Sequence, residues 1–140
     1  ASSGVKAMKM VMDRVNTFSN PPIVLAVTAL TSFDNASFEA IYKTPIEQKA
    51  VDFAKDAYIS GLHGVVCSVY ESLDIKAHTS DSFLTLTPGI RPFGESSNDQ
   101  ERVADLETAK AEHSDFIVVG RPIYHSSDPL GIVKKIIENI

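Results

Sequence analysis

The sequence predicts an α/β fold on a parallel sheet, and three observations carry that expectation. Four short apolar, β-branched runs recur along the 140 residues, separated by stretches with helical periodicity. The runs are near-continuously apolar, as strands covered on both faces by right-handed crossover helices read. The last two end abruptly in Gly, Pro and Arg, in Leu86-Thr87-Pro88-Gly89-Ile90-Arg91-Pro92 and in the stretch from Asp115 through Gly120-Arg121-Pro122-Ile123. That pattern marks a buried strand delivering a polar loop at its C-terminal end.

The elements follow in order. Met8, Val11, Met12 and Val15 recur at helical spacing and form one apolar stripe, with Ser2 or Ser3 as cap and Ser19-Asn20-Pro21-Pro22 as the stop. Ile23 to Thr28 is the first strand. A crossover helix placed before the first strand leads us to expect a further strand upstream, and the absence of an initiator Met agrees with a cut piece. Asp34 or Asn35 starts a short helix through Tyr42. Thr44-Pro45-Ile46-Glu47 then offers cap, first-turn proline and capping-box glutamate. Ile46, Ala50, Phe53 or Ala54, and Ala57 line one face of that helix as far as Gly61.

The second strand is Gly64 to Ser68, and a shorter helix runs from Val69 to Lys76. Phe83 to Thr87 is the third strand, followed by a long loop from Pro88 to Gln100 whose length suggests function. A helix over Asp105–His113 leads to the fourth strand, Phe116 to Gly120. Asp128-Pro129 opens the last helix, with Ile132, Val133, Ile136, Ile137 and Ile140 as its expected core stripe. No repeat, linker or low-complexity tract interrupts this order, so residues 1–140 read as a single domain.

Composition narrows the partners. A net charge of -5 and a pI near 5.3 leave no broad basic surface for nucleic acid. No apolar run approaches the roughly 18 residues of a membrane span, and no signal-peptide pattern opens the chain. The single cysteine, Cys67, excludes an intramolecular disulfide framework and fits a reducing cytoplasm. It reads as a small buried hydrophobe with no histidine placed to activate it. His63, His78, His113 and His125 show no metal-ligand spacing, although His125 falls near the last Gly-Arg-Pro loop.

An anionic ligand must therefore be held by a few placed groups, and the two loops supply them. Glycine lets backbone N–H groups approach closely, and arginine offers a planar fork matched to phosphate oxygens. As surface ion-pair partners, Arg91 and Arg121 would be worth only about 0–1 kcal/mol each, whereas their place after buried strands favours a ligand.

Four segments in register carry a family resemblance. Leu25-Ala26-Val27-Thr28-Ala29-Leu30-Thr31-Ser32, Gly64-Val65-Val66-Cys67-Ser68, Thr87-Pro88-Gly89-Ile90-Arg91-Pro92 and Asp115 to Ile123 together resemble orotidine 5'-phosphate decarboxylase of the bacterial type. The resemblance spans the whole chain but implies only the C-terminal half, strands five to eight, of a TIM (β/α)8 barrel. In such barrels the loops after strands seven and eight commonly hold phosphate.

The resemblance also implies roles. Thr31 would contact the pyrimidine ring, with Ser32 as its possible substitute, and Arg91 and Arg121 would flank the nucleotide phosphate. Gly120 would give a backbone donor, Gln100 would fold over the nucleotide, and Pro88 and Gly89 would shape the loop. The implied reaction takes orotidine 5'-phosphate to uridine 5'-phosphate and CO2 without metal or organic cofactor, in a cytoplasmic homodimer. Its lysine–aspartate array would lie upstream, so this chain alone is expected to be inactive. Asp74-Ile75-Lys76-Ala77-His78 imitates the start of that Asp-x-Lys-x-x-Asp array, but Thr79 stands at the last aspartate position. We expect an exposed, charged helix end there. Before the fourth strand, Ala111-Glu112-His113-Ser114-Asp115 departs from the family, which often carries Gly in a tighter turn.

Two other readings remain at this point. One is a non-catalytic half-barrel that binds a phosphorylated small molecule. The other is a related phosphate-sugar decarboxylase or aldolase, families that lack Thr31-Ser32 and Gln100 in this arrangement.

Overall fold

The computed structural model describes residues 1–95 and 102–140 of the chain. Its centre is one sheet of four parallel strands in sequential order. These are β1 (Leu25–Val27), β2 (Gly64–Val66), β3 (Leu84–Thr87) and β4 (Phe116–Ile117). Each is shorter than the apolar run that predicts it, although single bonds such as Thr28 N–H to Val66 O and Val118 N–H to Thr87 O continue the pairing one residue further.

Register decides which face each side chain takes. Ala26, Val65 and Thr85 align across β1, β2 and β3, and all are buried beneath helices. Val27, Val66, Leu86 and Phe116 align on the opposite face, where Val27 is 45% and Phe116 50% exposed. The side-chain period of two thus separates a covered face from an open one.

The covering layer has α3 (Ile46–Ile59) at its middle, in contact with β2 and with α1 (Gly4–Val15), α2 (Asn35–Tyr42) and α4 (Ser72–His78). Ile46, Ala50, Phe53, Ala54 and Ala57 are all buried, as the spacing predicts. Met8 and Met12 of α1 join Val51, Ala54, Val65, Cys67, Ile75 and Phe83 in the main core. Truncating a fully buried isoleucine such as Ile75 to Ala would cost about 2–5 kcal/mol. A second core joins Val69, Ile90, Leu106 and Ala109 to Ile136 of α7 (Pro129–Ile137).

Local chemistry accounts for the helix ends, with some departures from expectation. The Asp34 side chain accepts from Ser37 N–H and starts α2, and Asp105 does the same for Thr108 in α5 (Leu106–Ala111). Ser3 and Pro45 occupy the N-cap positions of α1 and α3 without a side-chain bond, so neither the serine cap nor the Thr44 cap forms. At the end of α3, Gly61 N–H donates to Tyr58 O and Leu62 N–H to Ala57 O, while Gly61 takes φ +81°. This double closure needs a left-handed residue, which glycine supplies cheaply. The two outer helices are less buried than their stripes suggest. Val11 is exposed on α1, and on α7 only Ile136 is buried while Ile137 lies open, as does Ile140, which falls beyond the helix end.

Lys76 corrects the expectation of an exposed helix end. Asp74 is exposed and pairs with His78, but Lys76 is 7% exposed and points inward. Its Nζ donates to Asp115 Oδ2 at 2.8 Å, Phe83 O at 3.2 Å and Asp81 O at 3.1 Å. The same Asp115 oxygen accepts from Thr85 N–H at 2.8 Å. The group therefore clamps the N-terminal ends of β3 and β4. Just before it, His113 takes φ +56°, the backbone conformation that suits the glycine expected at that turn.

Candidate functional site

At the other end of the sheet, the strands release their chain into four loops. β3 leads through Pro88 to Gly89, which takes φ +84°. A Cβ on Gly89 would stand 2.8 Å from the Arg102 carbonyl oxygen, so both conformation and space require glycine. Ile90 then pairs with Ala104 in a parallel bridge, with Arg91 N–H donating to Ala104 O at 2.8 Å. This turn brings the Arg91 side chain inward until it is 5% exposed.

After β4, Gly120 caps the short helix α6 (Arg121–Tyr124), with Pro122 in its first turn. Arg121 sits half-buried at the start of that helix. Arg91 and Arg121 line one pocket of about 370 Å³, together with Glu95, Pro122, His125, Ser126 and Ile132. That size falls in the ordinary range for small-molecule sites. Two arginines against the single carboxylate of Glu95 in one partly enclosed space favour an anion there, since a low local dielectric strengthens charge attraction. A Cβ at Gly120 would meet only Tyr124 Cε1 at 3.5 Å, an ordinary contact, so the chain itself leaves room there.

Thr31 is placed in the loop after β1, 6% exposed, and does not line this pocket. It lies on the same rim, since its Cγ2 would be 3.8 Å from a Cβ on Gly89 and its carbonyl oxygen accepts from Arg102 N–H at 3.3 Å. Gln100 lies outside the described residues.

Two residues that sequence reasoning overlooks tie the rim together. Glu71 is 2% exposed, and one of its oxygens accepts from Ser68 N–H at 3.0 Å. Its other oxygen pairs with Arg102, whose guanidinium also reaches Leu30 O at 3.2 Å. Burial pushes the Glu71 carboxyl above its ordinary value of 4.5, against the lowering effect of Arg102 and the Ser68 amide. The pattern Ser68-x-x-Glu71 is legible as a capping box, which forms here. Nothing in the sequence marks Arg102 as its partner. Cys67 is 1% exposed and burial pushes its thiol far up, so no thiolate nucleophile is available. Among the described residues, no group of His, Cys, Asp and Glu is arranged to hold a metal, and no helix is long and apolar enough to cross a membrane.

Comparison with known proteins gives the family and the fold. The family model described as orotidine 5'-phosphate decarboxylase / HUMPS matches residues 1–136. The chain belongs to that family. It is 61% identical over 140 residues to the orotidine 5'-phosphate decarboxylases of a Nitratiruptor species and of Campylobacter fetus subsp. fetus. In both cases the match covers 100% of this chain and 62% of the relative. The crystal structure of orotidine 5'-phosphate decarboxylase from Lactobacillus acidophilus superposes with a TM-score of 0.79 at 33% identity, covering 97% of this chain and 58% of that one. An uncharacterized conserved protein from Geobacillus kaustophilus gives the same TM-score at 28% identity, covering 99% of this chain and 60% of that one. Within this family the four-stranded sheet is a partial TIM barrel, and its open face is the one that looks toward a barrel interior.

Proposed function

We propose that this chain supplies the phosphate- and pyrimidine-binding part of an orotidine 5'-phosphate decarboxylase, which forms uridine 5'-phosphate and CO2 in pyrimidine biosynthesis. The observation that carries the proposal is the convergence of Arg91 and Arg121 on one pocket beyond the C-terminal ends of β3 and β4. Ligands in barrels of this kind bind at that end, where the loops that follow the strands converge. The 61% identity to relatives bearing that name supports the chemistry.

In this reading Arg91 and Arg121 hold the phosphate, Gly120 presents backbone to it, and Thr31 reads the pyrimidine. Gln100 bridges phosphate and base. Binding energy gathered at the phosphate is used where the reaction occurs, so that affinity becomes rate. The lysine–aspartate array is assigned to a part of the enzyme outside this chain, where its ammonium stabilises the charge that develops on the pyrimidine carbon as CO2 leaves and then protonates that carbon, by electrostatic preorganisation. The complete enzyme is a cytoplasmic homodimer that needs no metal or organic cofactor, and the 140-residue chain alone binds nucleotide without turning it over.

Calorimetric titration of the chain with uridine 5'-phosphate tests this. Charged hydrogen bonds are worth about 1.5–3 kcal/mol, so Arg121→Ala is expected to weaken binding by about tenfold or more. The loss is expected to be larger at low salt than at high, since screening shrinks what the arginine contributes. Unchanged affinity would remove Arg121 from the site, and turnover above a contamination control would overturn the division of labour.

A further inference from the structure

We propose that Arg102 is a positioning residue, locking the Thr31 loop to the Arg91 turn so that the two ends of a nucleotide are read at one fixed separation. The inference rests on the nucleotide-binding reading above and adds a residue to it. Arg102 fastens the loop after β1 at three points. Its backbone N–H donates to Thr31 O at 3.3 Å, and its guanidinium donates to Leu30 O at 3.2 Å and Ala29 O at 3.4 Å. The guanidinium is itself held by Glu71, which is anchored to the loop after β2 through Ser68 N–H.

The strand-like continuation of Arg102 fastens the turn after β3. Its carbonyl lies against Gly89, Ala104 N–H donates to Gly89 O at 3.2 Å, and Arg91 N–H donates to Ala104 O at 2.8 Å. Between them, Tyr70 OH donates to Val103 O at 2.8 Å, a second tie to the loop after β2. Arg102–Ala104 therefore forms a strap across three loops, and the Arg102 side chain carries its polar contacts to the β1 loop. A planar fork is what this position needs, because it must meet a carboxylate and two carbonyls at once. Lysine would keep the charge toward Glu71 and lose the span.

The test compares the chain with Arg102→Met and Arg102→Lys. Amide exchange is read at Phe33, Arg91 and Ala104, whose N–H groups bond within the strapped loops, and at Thr85 and Val118 in the sheet. Protection is expected to fall at least tenfold at the first three and to stay unchanged at the last two. A uniform fall would mark a merely structural role, and no fall anywhere would show that the strap holds without Arg102. Either result overturns the proposal. Arg102→Lys keeps the ion pair and guards against a variant that fails to fold.

The ligand arm uses uridine 5'-phosphate and ribose 5-phosphate. In both variants the preference for the full nucleotide is expected to shrink about fivefold or more while ribose 5-phosphate affinity holds within twofold. Equal losses for both ligands would overturn the coupling of base to phosphate. If the parent chain shows no preference for the nucleotide, the functional reading fails, and the exchange pattern still decides whether Arg102 positions the rim.

Discussion

Two ion pairs close the two ends of this sheet, and they are built on opposite principles. At the N-terminal end, Asp115 keeps 30% of its side chain exposed and receives Lys76, Thr85 N–H and Thr85 Oγ1. Its burial raises the carboxyl, but those donors together outweigh it and hold the group below its ordinary 3.8. At the C-terminal rim, Glu71 is nearly sealed, and its burial outweighs what Arg102 and Ser68 return. The first pair favours its charged state and the second tolerates it. One end is therefore the expected anchor of the molecule, while at the other, which carries the candidate site, burial works against the carboxylate.

The most direct challenge to this contrast comes at Lys76. Lys76→Met removes the donor that Asp115, Phe83 O and Asp81 O share. We expect about 2–3 kcal/mol lost in chemical denaturation, below the fully buried case because water reaches Asp115. Nucleotide affinity should stay within twofold. A loss under about 1 kcal/mol would show that the N-terminal end is not an anchor.

Acidity separates the two ends further. Asp115 is lowered in the folded state, so its contribution is present above 3.8 and is lost as pH falls through the folded value. Glu71 is raised, so the folded state binds the extra proton, and its contribution is lost as pH rises from 4.5 through the folded value. Melting curves across pH are expected to show the parent's advantage over Asp115→Asn shrinking toward acid. Against Glu71→Gln, the parent should lose ground as pH rises above 4.5. Trends of the same sign for both would erase the distinction between the two ends.

The smallest expected effect concerns the turn into β4. His113 holds φ +56° without glycine's freedom, so His113→Gly should stabilise by about 0.5–1 kcal/mol. No rise in melting temperature would mean that the imidazole makes up for its strained backbone.

Much of the fold is legible in the sequence because hydrophobic periodicity is a local property. The α3 face from Ile46 to Ala57, the apolar runs that become strands and the Gly61 closure all come from neighbours a few residues apart. The outer stripes on α1 and α7 read as core yet lie partly open, since periodicity reports a face and not whether anything covers it. The same limit hides Lys76, whose polar surroundings suggest solvent until β4 brings Asp115 to it across 39 residues.

From the order of residues alone come the alternation of strand and helix, the two Gly-Pro-Arg exits and the family to which they point. It took the assembled sheet to show that Arg91 and Arg121 share a pocket, that Thr31 stands on the same rim, and that Glu71 finds Arg102 31 residues away. Local patterns encode which backbone forms and which face is apolar. Partners for buried charge are chosen by the register of the sheet, which sets loops distant in the chain side by side along one rim.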